Sequence, residues 1–311
     1  MKYLKLVRYQ NLALIVLMQL VLRYGFLNLQ MIPLFLSGWQ FSLLVASTVL
    51  IAAAGYVIND IMDQDTDLDN NPDTVIVGKS ISEEKAYNIY FTLNITGMLL
   101  GFYITTLVDK TSFFSIFIIS SALLYLYATN FKQTLLIGNI IVSLVIALSI
   151  LIVGVFDIIP NLTLGTYVDY AQMKILLYVL LDYAIFAFLL NFIREIVKDM
   201  EDIEGDNNQG MRTLPIVFGI INTSKIVFVL GLFSTVFLLW YINTNMMSAK
   251  LYYAVLFDLV FLVGPLLFFI VKMFNATTKK EFKMLSNLLK WVIFFGVLSI
   301  LVVNLNIKYC A

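Results

Sequence analysis

The chain has 311 residues, of which 61% are apolar and 13% charged, with a mean hydropathy of +0.91 and a formal net charge of zero. A soluble domain is roughly 45–50% apolar and about 25% charged, so this composition excludes a soluble globule and points to the bilayer. The absence of His and the single Cys310 exclude Ser-His-Asp and Cys-His nucleophiles, His-ligated haem or zinc and cysteine clusters, and the zero net charge leaves no electrostatic footprint for nucleic acid.

In chain order, nine apolar stretches of about 18–25 residues follow one another, each long enough to cross a hydrocarbon core of ~30 Å. They run over 11–34, 39–58, 86–108, 113–129, 135–156, 174–193, 216–242, 251–271 and 288–307. The first holds Arg23 and is expected to tilt or break at Arg23-Tyr24-Gly25. The basic start Met1-Lys2-Tyr3-Leu4-Lys5 has no small-residue cleavage site after it, so it reads as the lead-in to a first span rather than a removed signal. The fold class that follows is all-α: a polytopic membrane protein with nine transmembrane helices bundled around a central cavity, as one domain over 1–311. Within it a pseudo-repeat is expected, spans one to four over about 1–130 and five to eight over about 131–272, with span nine added.

An odd number of spans puts the termini on opposite sides. One side then carries Lys2, Lys5, Arg8, Lys79, Lys85, Lys132, Arg194, Lys198, Arg212, Lys225, Lys272, Lys279, Lys280, Lys283 and Lys290. The other carries Arg23, Lys110, Lys174, Lys250 and Lys308. This asymmetry predicts an integral cell-membrane protein with a cytoplasmic N-terminus and Ala311 outside.

The polar content gathers in two places on the cytoplasmic side. After span two comes Asn59-Asp60-Ile61-Met62-Asp63-Gln64-Asp65-Thr66-Asp67-Leu68-Asp69; after span six comes Lys198-Asp199-Met200-Glu201-Asp202-Ile203-Glu204-Gly205-Asp206. Both read D-x-x-D-x-x-x-D, with Asp60, Asp63 and Asp67 matching Asp199, Asp202 and Asp206. An Ile-Val run ending in glycine follows each (Ile76-Val77-Gly78; Ile216-Val217-Phe218-Gly219). At about 100° per residue the three acids of each motif fall within about 60° of arc on a helix, so they share one face. Asn59 extends the first face and Glu195 the second, while Asp65, Asp69, Glu201 and Glu204 point away. Three carboxylates leaving bulk water repel one another, and a divalent cation relieves that repulsion. Oxygen donors with open water positions suit Mg²⁺, which commonly bridges carboxylates to substrate phosphates.

The plain alternative is a solvated acidic loop, which a single motif would fit and two matched ones do not. A calcium loop opening at Asp63 fails on Leu68 and Thr74, which stand where Gly and Glu are needed. Lys79, Lys132, Arg194, Lys198 and Arg212 are candidates for diphosphate contact, or simply obey the charge asymmetry of the loops. Asp182 and Asp258 are intramembrane carboxylates expected to face a cavity or a partner, and Arg23 is a candidate partner for either. Asn94, Asn139 and Asn191 either line a cavity or bond between helices, and Gly97-x-x-x-Gly101 reads as close helix packing.

At the two motifs the sequence resembles the UbiA superfamily of intramembrane prenyltransferases. Asn59, Asp60, Asp63 and Asp67 match its first signature, and Lys198, Asp199, Asp202, Gly205 and Asp206 its second. Asn71-Pro72-Asp73, Arg212-Thr213-Leu214-Pro215 and the run from Tyr127 through Lys132 to Gly138-Asn139 match as well. The chain departs at Thr74-Val75-Ile76 and at Gln133, where the family usually has arginine. The resemblance implies a nine-helix bundle and Mg²⁺-dependent transfer of an isoprenyl group from a polyprenyl diphosphate. Asn59, Asp60, Asp63, Asp67, Asp199, Asp202 and Asp206 would hold the metal, with Asp63, Asp67, Asp202 and Asp206 the catalytic set. Lys79, Lys132, Arg194, Lys198, Arg212, Asn139 and Arg23 would bind diphosphate or substrate. The partners implied are an isoprenyl diphosphate, a hydrophobic or aromatic acceptor and the bilayer, and no protein or nucleic acid. The acceptor nearest in pattern is geranylgeranylglyceryl phosphate; an aromatic quinone precursor is the alternative. A transporter with acidic cation sites is the rival of another class, against which stands the location of both motifs at helix ends rather than at mid-membrane.

Overall fold

The computed structural model describes residues 1–70, 72–164 and 169–310. Among them are nine helices long and apolar enough to span a membrane: Tyr9–Gln30, Gly38–Met62, Glu83–Leu107, Thr111–Thr129, Ile137–Asp157, Tyr170–Glu201, Leu214–Met247, Tyr252–Asn275 and Lys279–Tyr309, here spans one to nine. They coincide with the nine expected stretches. Asn71, part of the family resemblance, and Ala311 lie outside the described residues.

Local chemistry sets where these helices start. Span two opens on a capping box, in which Gln40 reaches back to the Ser37 N–H at 2.7 Å. Glu83 and Glu84 fill the first turn of span three, where carboxylates meet the positive end of the helix dipole. Asp169 caps span six, accepting from the N–H groups of Ala171 and Gln172 at 3.0 and 3.1 Å. Glu281, in the first turn of span nine, accepts from Thr278 N–H and Oγ1. Gly78 (φ 82°) and Gly219 (φ 77°), the glycines ending the two matched Ile-Val runs, both sit in the left-handed region that side chains resist.

Span two packs along three, five along six and six along nine; span one lies against two, five and nine. Lipid is as apolar as leucine, so close van der Waals contact holds such helices together. The glycine pair shows it. A Cβ on Gly97 would stand 2.9 Å from Ile51 Cγ1 in span two, and one on Gly101 2.7 Å from Phe117 in span four. The Ser47 hydroxyl uses the approach to donate to Gly97 O at 2.7 Å. Asn94 accepts from Ser121 Oγ at 2.8 Å and Asn191 donates to Ser143 Oγ at 3.2 Å, both between helices. Span four is the least covered by protein, and Phe91, Ile95, Leu99, Ile221, Phe233 and Trp240 face outward, a belt that suits lipid and would aggregate in water.

Span one breaks where expected. Its helix widens into a π turn over Val21–Phe26 and then tightens into a 3₁₀ turn over Leu27–Gln30. The partner of Arg23, however, is neither Asp182 nor Asp258. Its guanidinium pairs with Asp157, at the end of span five, at 3.2 Å, with both side chains buried. It also donates to Leu36 O, and its centre lies 4.4 Å from the Phe41 ring centroid. Asp157 in turn accepts from Leu36 N at 3.0 Å, which fastens the loop between spans one and two. Sequence reading passed over Asp157 because it stands at the edge of an apolar stretch, where a carboxylate looks solvated.

Candidate active site

Both acidic motifs lie across a break in a helix, not on one continuous helix face. The helix of span two ends at Met62; Asp63 takes φ −93°, ψ 8°, and a short helix Gln64–Asn70 follows. The helix of span six ends at Glu201; Asp202 takes φ −100°, ψ 10°, and a short helix Ile203–Asn208 follows. The two middle aspartates thus share one bent conformation. Their backbone bonding keeps helical phase through the bend: Asp63 N–H reaches Asn59 O at 2.9 Å, Asp67 N–H reaches Asp63 O at 2.8 Å, and Asp202 and Asp206 repeat the pattern at 3.0 and 3.1 Å. The expected sorting therefore largely survives. Asn59, Asp63 and Asp206 are buried, while Asp65, Asp69 and Glu204 are exposed. Glu201 departs from it: half-buried, it lies 3.9 Å from Lys283.

The two motifs face each other. Asn70 Oδ1 accepts from Gly205 N–H at 3.0 Å, and Asp69 accepts from Asn208 and Gln209 at 3.3 and 3.5 Å. Lys279, at the start of span nine, donates to Asn70 O at 2.8 Å. A Cβ on Gly205 would sit 2.4 Å from the Asn70 amide, so any larger residue has to displace that side chain.

Polar partners reach the carboxylates from other spans. Lys132 donates to Asp63, which also accepts from the Asn59 amide. Asn139 Nδ2 donates to Asp199 Oδ2 at 2.8 Å. Gly138 makes both contacts possible, since a Cβ there would meet Phe131 O at 2.9 Å and Lys132 Cα at 3.1 Å, where the loop folds back on the start of span five. Arg194 pairs with Glu195 at 2.8 Å, and its Nε is buried without a hydrogen bond. Lys198 lines the cavity beneath Asn59.

Three expected phosphate contacts lie apart from this cluster. Lys79 donates to Pro72 O at 2.7 Å in the loop after the first motif. The Arg212 side chain is exposed, and its N–H ties the loop after the second motif to Gln133 O at 2.9 Å. Arg23 sits with Asp157 at the far end of span five, eighteen residues or about 27 Å from Asn139 along the helix.

Arg8 was missed by the sequence reading except as a charge. It occupies a left-handed turn (φ 49°, ψ 53°) between the short helix Lys2–Leu6 and span one, and donates to Asp60 Oδ1 at 2.9 Å. A non-glycine residue resists that turn by roughly 1–2 kcal/mol, and the ion pair offsets it. The two residues are 52 positions apart, and no local pattern marks the pair.

Charge coupling shows in the titration of the loop residues. Burial raises the Asp206 carboxyl to about 6, against the pull of Lys132. Burial and then Asp63 raise Asp67 above the ordinary carboxylate range. Burial opposes the charge on Lys132, and Asp63 outweighs it, so the ammonium is held above its usual value. Arg8 behaves alike through Asp60.

Two cavities adjoin this site. The second runs beneath the first motif, with Arg8, Asn59, Tyr127 and Lys198 at its polar end. The first has Lys290, whose Nζ donates to Asn11 Oδ1 at 2.8 Å. Asn11, Tyr56, Asn191 and Arg194 line both, so the cavities meet there.

A family model described as the UbiA prenyltransferase family matches residues 24–302. The chain belongs to the UbiA prenyltransferase family. Among curated relatives, it is 38% identical over 167 residues to the digeranylgeranylglyceryl phosphate synthase of Methanobrevibacter smithii, a match covering 54% of each chain. It is 31% identical over 230 residues to the synthase of the same name from Methanothermobacter thermautotrophicus, covering 68% of this chain and 73% of that one. The match thus spans about half the length of the first relative and nearly three quarters of the second. Solved UbiA structures share the fold. A structure described as that of a digeranylgeranylglyceryl phosphate synthase superposes with a TM-score of 0.62 at 23% identity, over 97% of both chains. A UbiA homologue from Archaeoglobus fulgidus bound to GPP and Mg²⁺ gives 0.57 at 16%, over 96% of this chain and 99% of that one. The family is one of prenyltransferases, and it gives the transporter reading no support.

Among the described residues no three acidic side chains converge tightly enough to grip a metal ion by themselves. The donor set still fits Mg²⁺: hard carboxylate and amide oxygens from two facing motifs, with Asp202 Oδ1 buried and lacking any hydrogen-bond partner. With too few ligands from either motif alone, the set suits an ion that shares its coordination with substrate phosphates.

Proposed function

We propose that this protein transfers a geranylgeranyl group from its diphosphate to the free hydroxyl of geranylgeranylglyceryl phosphate, with Mg²⁺ as cofactor. The observation that carries the acceptor is the pair of cavities meeting at Arg194. A donor and an acceptor that each bear a long apolar tail need two such spaces, whereas a single aromatic ring fills only a small part of one. The names of the curated relatives agree.

Asn59, Asp60, Asp63, Asp67, Asp199, Asp202 and Asp206 are the residues that would hold Mg²⁺. When bound, the ion neutralises charge on the departing diphosphate. Lys132 and Lys198, beside the two motifs, bind the remaining diphosphate oxygens, and Asn139 holds Asp199 in place. Tyr127 and the apolar wall beneath Asn59 exclude water from the allylic carbon while its bond to oxygen breaks. The acceptor hydroxyl forms the new C–O bond, and its proton passes to a carboxylate of the site or to the diphosphate. Arg194 and Lys290 sit where the acceptor phosphate would lie when its tail enters the first cavity. The charge asymmetry of the loops orients this chemistry toward the cytoplasm.

The test is diphosphate release by purified protein given geranylgeranyl diphosphate, Mg²⁺ and a panel of acceptors. Release with geranylgeranylglyceryl phosphate is expected, lost with chelator and in Asp63→Ala and Asp202→Ala. Release only with an aromatic acceptor such as 4-hydroxybenzoate would replace this reading with the quinone-precursor one.

A further inference from the structure

Asp258 plays no part in the site above, and the protein leaves it unmatched. It lies in span eight, 1% exposed, and its Oδ1 has no hydrogen-bond partner. Among the described residues no basic side chain comes within ion-pair distance of it. The helix widens into a π turn over Leu259–Val263 directly after it, and Pro265 follows, which lacks an N–H and forces such a turn open. An intramembrane carboxylate without a partner persists where it serves a cavity.

Asp258 lines the first cavity with Tyr183, Tyr241 and Ser299, and the Tyr183 and Ser299 hydroxyls stand 2.9 Å apart. The opposite end of the same cavity carries Arg194, Lys290 and Asn11. Tyr183 and Arg194 are eleven residues apart on span six, about 16 Å along its axis. The wall between them is apolar, Met18, Leu190 and Val292 among it. The cavity is therefore a greasy tube with a charged mouth and a hydrogen-bonding floor.

We propose that Asp258, with Tyr183 and Ser299, is the floor that limits the length of the acceptor's tail. This rests on the reading that the first cavity holds the acceptor. A methyl-ended chain that stops short of the floor leaves the carboxyl free to find a partner. A chain one isoprene unit longer fills the space beside Asp258, Tyr183 and Ser299 with apolar atoms and leaves no room for a water or a turned hydroxyl to reach the carboxyl, a penalty of about tenfold or more in binding.

The experiment uses the full chain in nanodiscs with geranylgeranyl diphosphate and glyceryl phosphate ethers bearing C20 or C25 tails. The wild type is expected to favour the C20 acceptor by about tenfold in kcat/KM. In Asp258→Leu, which carries no buried polar group, that ratio should collapse toward one; in Asp258→Asn, which keeps it, the ratio should hold. An unchanged ratio in a folded Asp258→Leu protein overturns the proposal, as does an equal collapse in Asp258→Asn. Should Asp258→Leu fail to fold, Tyr183→Phe/Ser299→Ala strips hydroxyls from the same floor, and it must lower the ratio or the proposal is wrong. If the wild type turns over neither acceptor, the functional reading is what has failed. The stabilisation of each variant by the C20 and C25 lipids in a melting assay then still measures the floor.

Discussion

A buried charge that loses its counter-charge stays buried, and that makes the Arg23–Asp157 pair a stability element rather than a catalytic one. Asp157→Asn keeps an acceptor for the Leu36 N–H but leaves the guanidinium uncompensated. A loss of about 3–5 kcal/mol is expected, read as a lower melting temperature, while Mg²⁺ affinity of the folded fraction stays unchanged. A variant that melts like wild type would remove the pair from the stability account. Asp206 makes the second prediction at this scale. Its folded carboxyl is pushed up to about 6, above the ordinary carboxylate range, so the folded state holds the proton more tightly than the unfolded one. Stability in chelator should therefore fall as pH rises from about 4 to about 6, and Asp206→Asn should flatten that part of the profile. A wild-type profile that instead climbs through the same window, unaltered by the substitution, would contradict the assignment. What the sequence showed of individual residues was the acids themselves, through spacing. It also pointed to Lys132 and Asn139, through a pattern entering a helix that Gly138 turns out to permit sterically. It could not show Arg8 on Asp60 or Asp157 on Arg23, because those pairs join distant spans and nothing near either residue announces the other.

The elements carry their own lesson in the two helix breaks. Sequence periodicity described one continuous helix through each motif, and it got the inward and outward sides largely right for the wrong geometry. The i→i−4 bonds carry helical phase across Asp63 and Asp202 even though the helices end there. Glu201 is the exception, drawn in beside Lys283. Between the short helices that follow, Asn70 and Gly205 form the closest contact. Gly205→Ala should push the Asn70 amide away and weaken Mg²⁺ binding by about tenfold, a change of about 1.4 kcal/mol. Trimming the obstacle in Gly205→Ala/Asn70→Gly should recover part of that affinity, although the Asn70 hydrogen bond is gone. Titration calorimetry of the three proteins decides it; a double variant no better than the single one would show that the lost bond matters more than the clash. The Gly97–Gly101 approach, by contrast, was legible outright, because small residues four apart in an apolar helix have few other uses.

At the scale of the whole molecule, the nine spans and their order were legible because crossing a bilayer demands a length and a composition that leave a plain trace. The cavities were not legible, since their walls draw on seven spans in one case and five in the other, and neither was the fact that they meet. That meeting has a consequence for the membrane itself. Both cavities share Arg194 and have their polar ends on the side where the two motifs lie, so on the proposed reading both substrates present their head groups from one leaflet. The joined product then has its two tails in that same leaflet from the moment the ether bond closes. The enzyme would thus make a lopsided bilayer, adding area to one face only, and filling the other face would fall to a separate lipid-translocating activity. In sealed vesicles holding this enzyme alone, new two-tailed lipid should be extractable, or reachable by a head-group-modifying reagent, only from the face that carries the acidic motifs. Equal access from both faces at early times would show that the product leaves by another route.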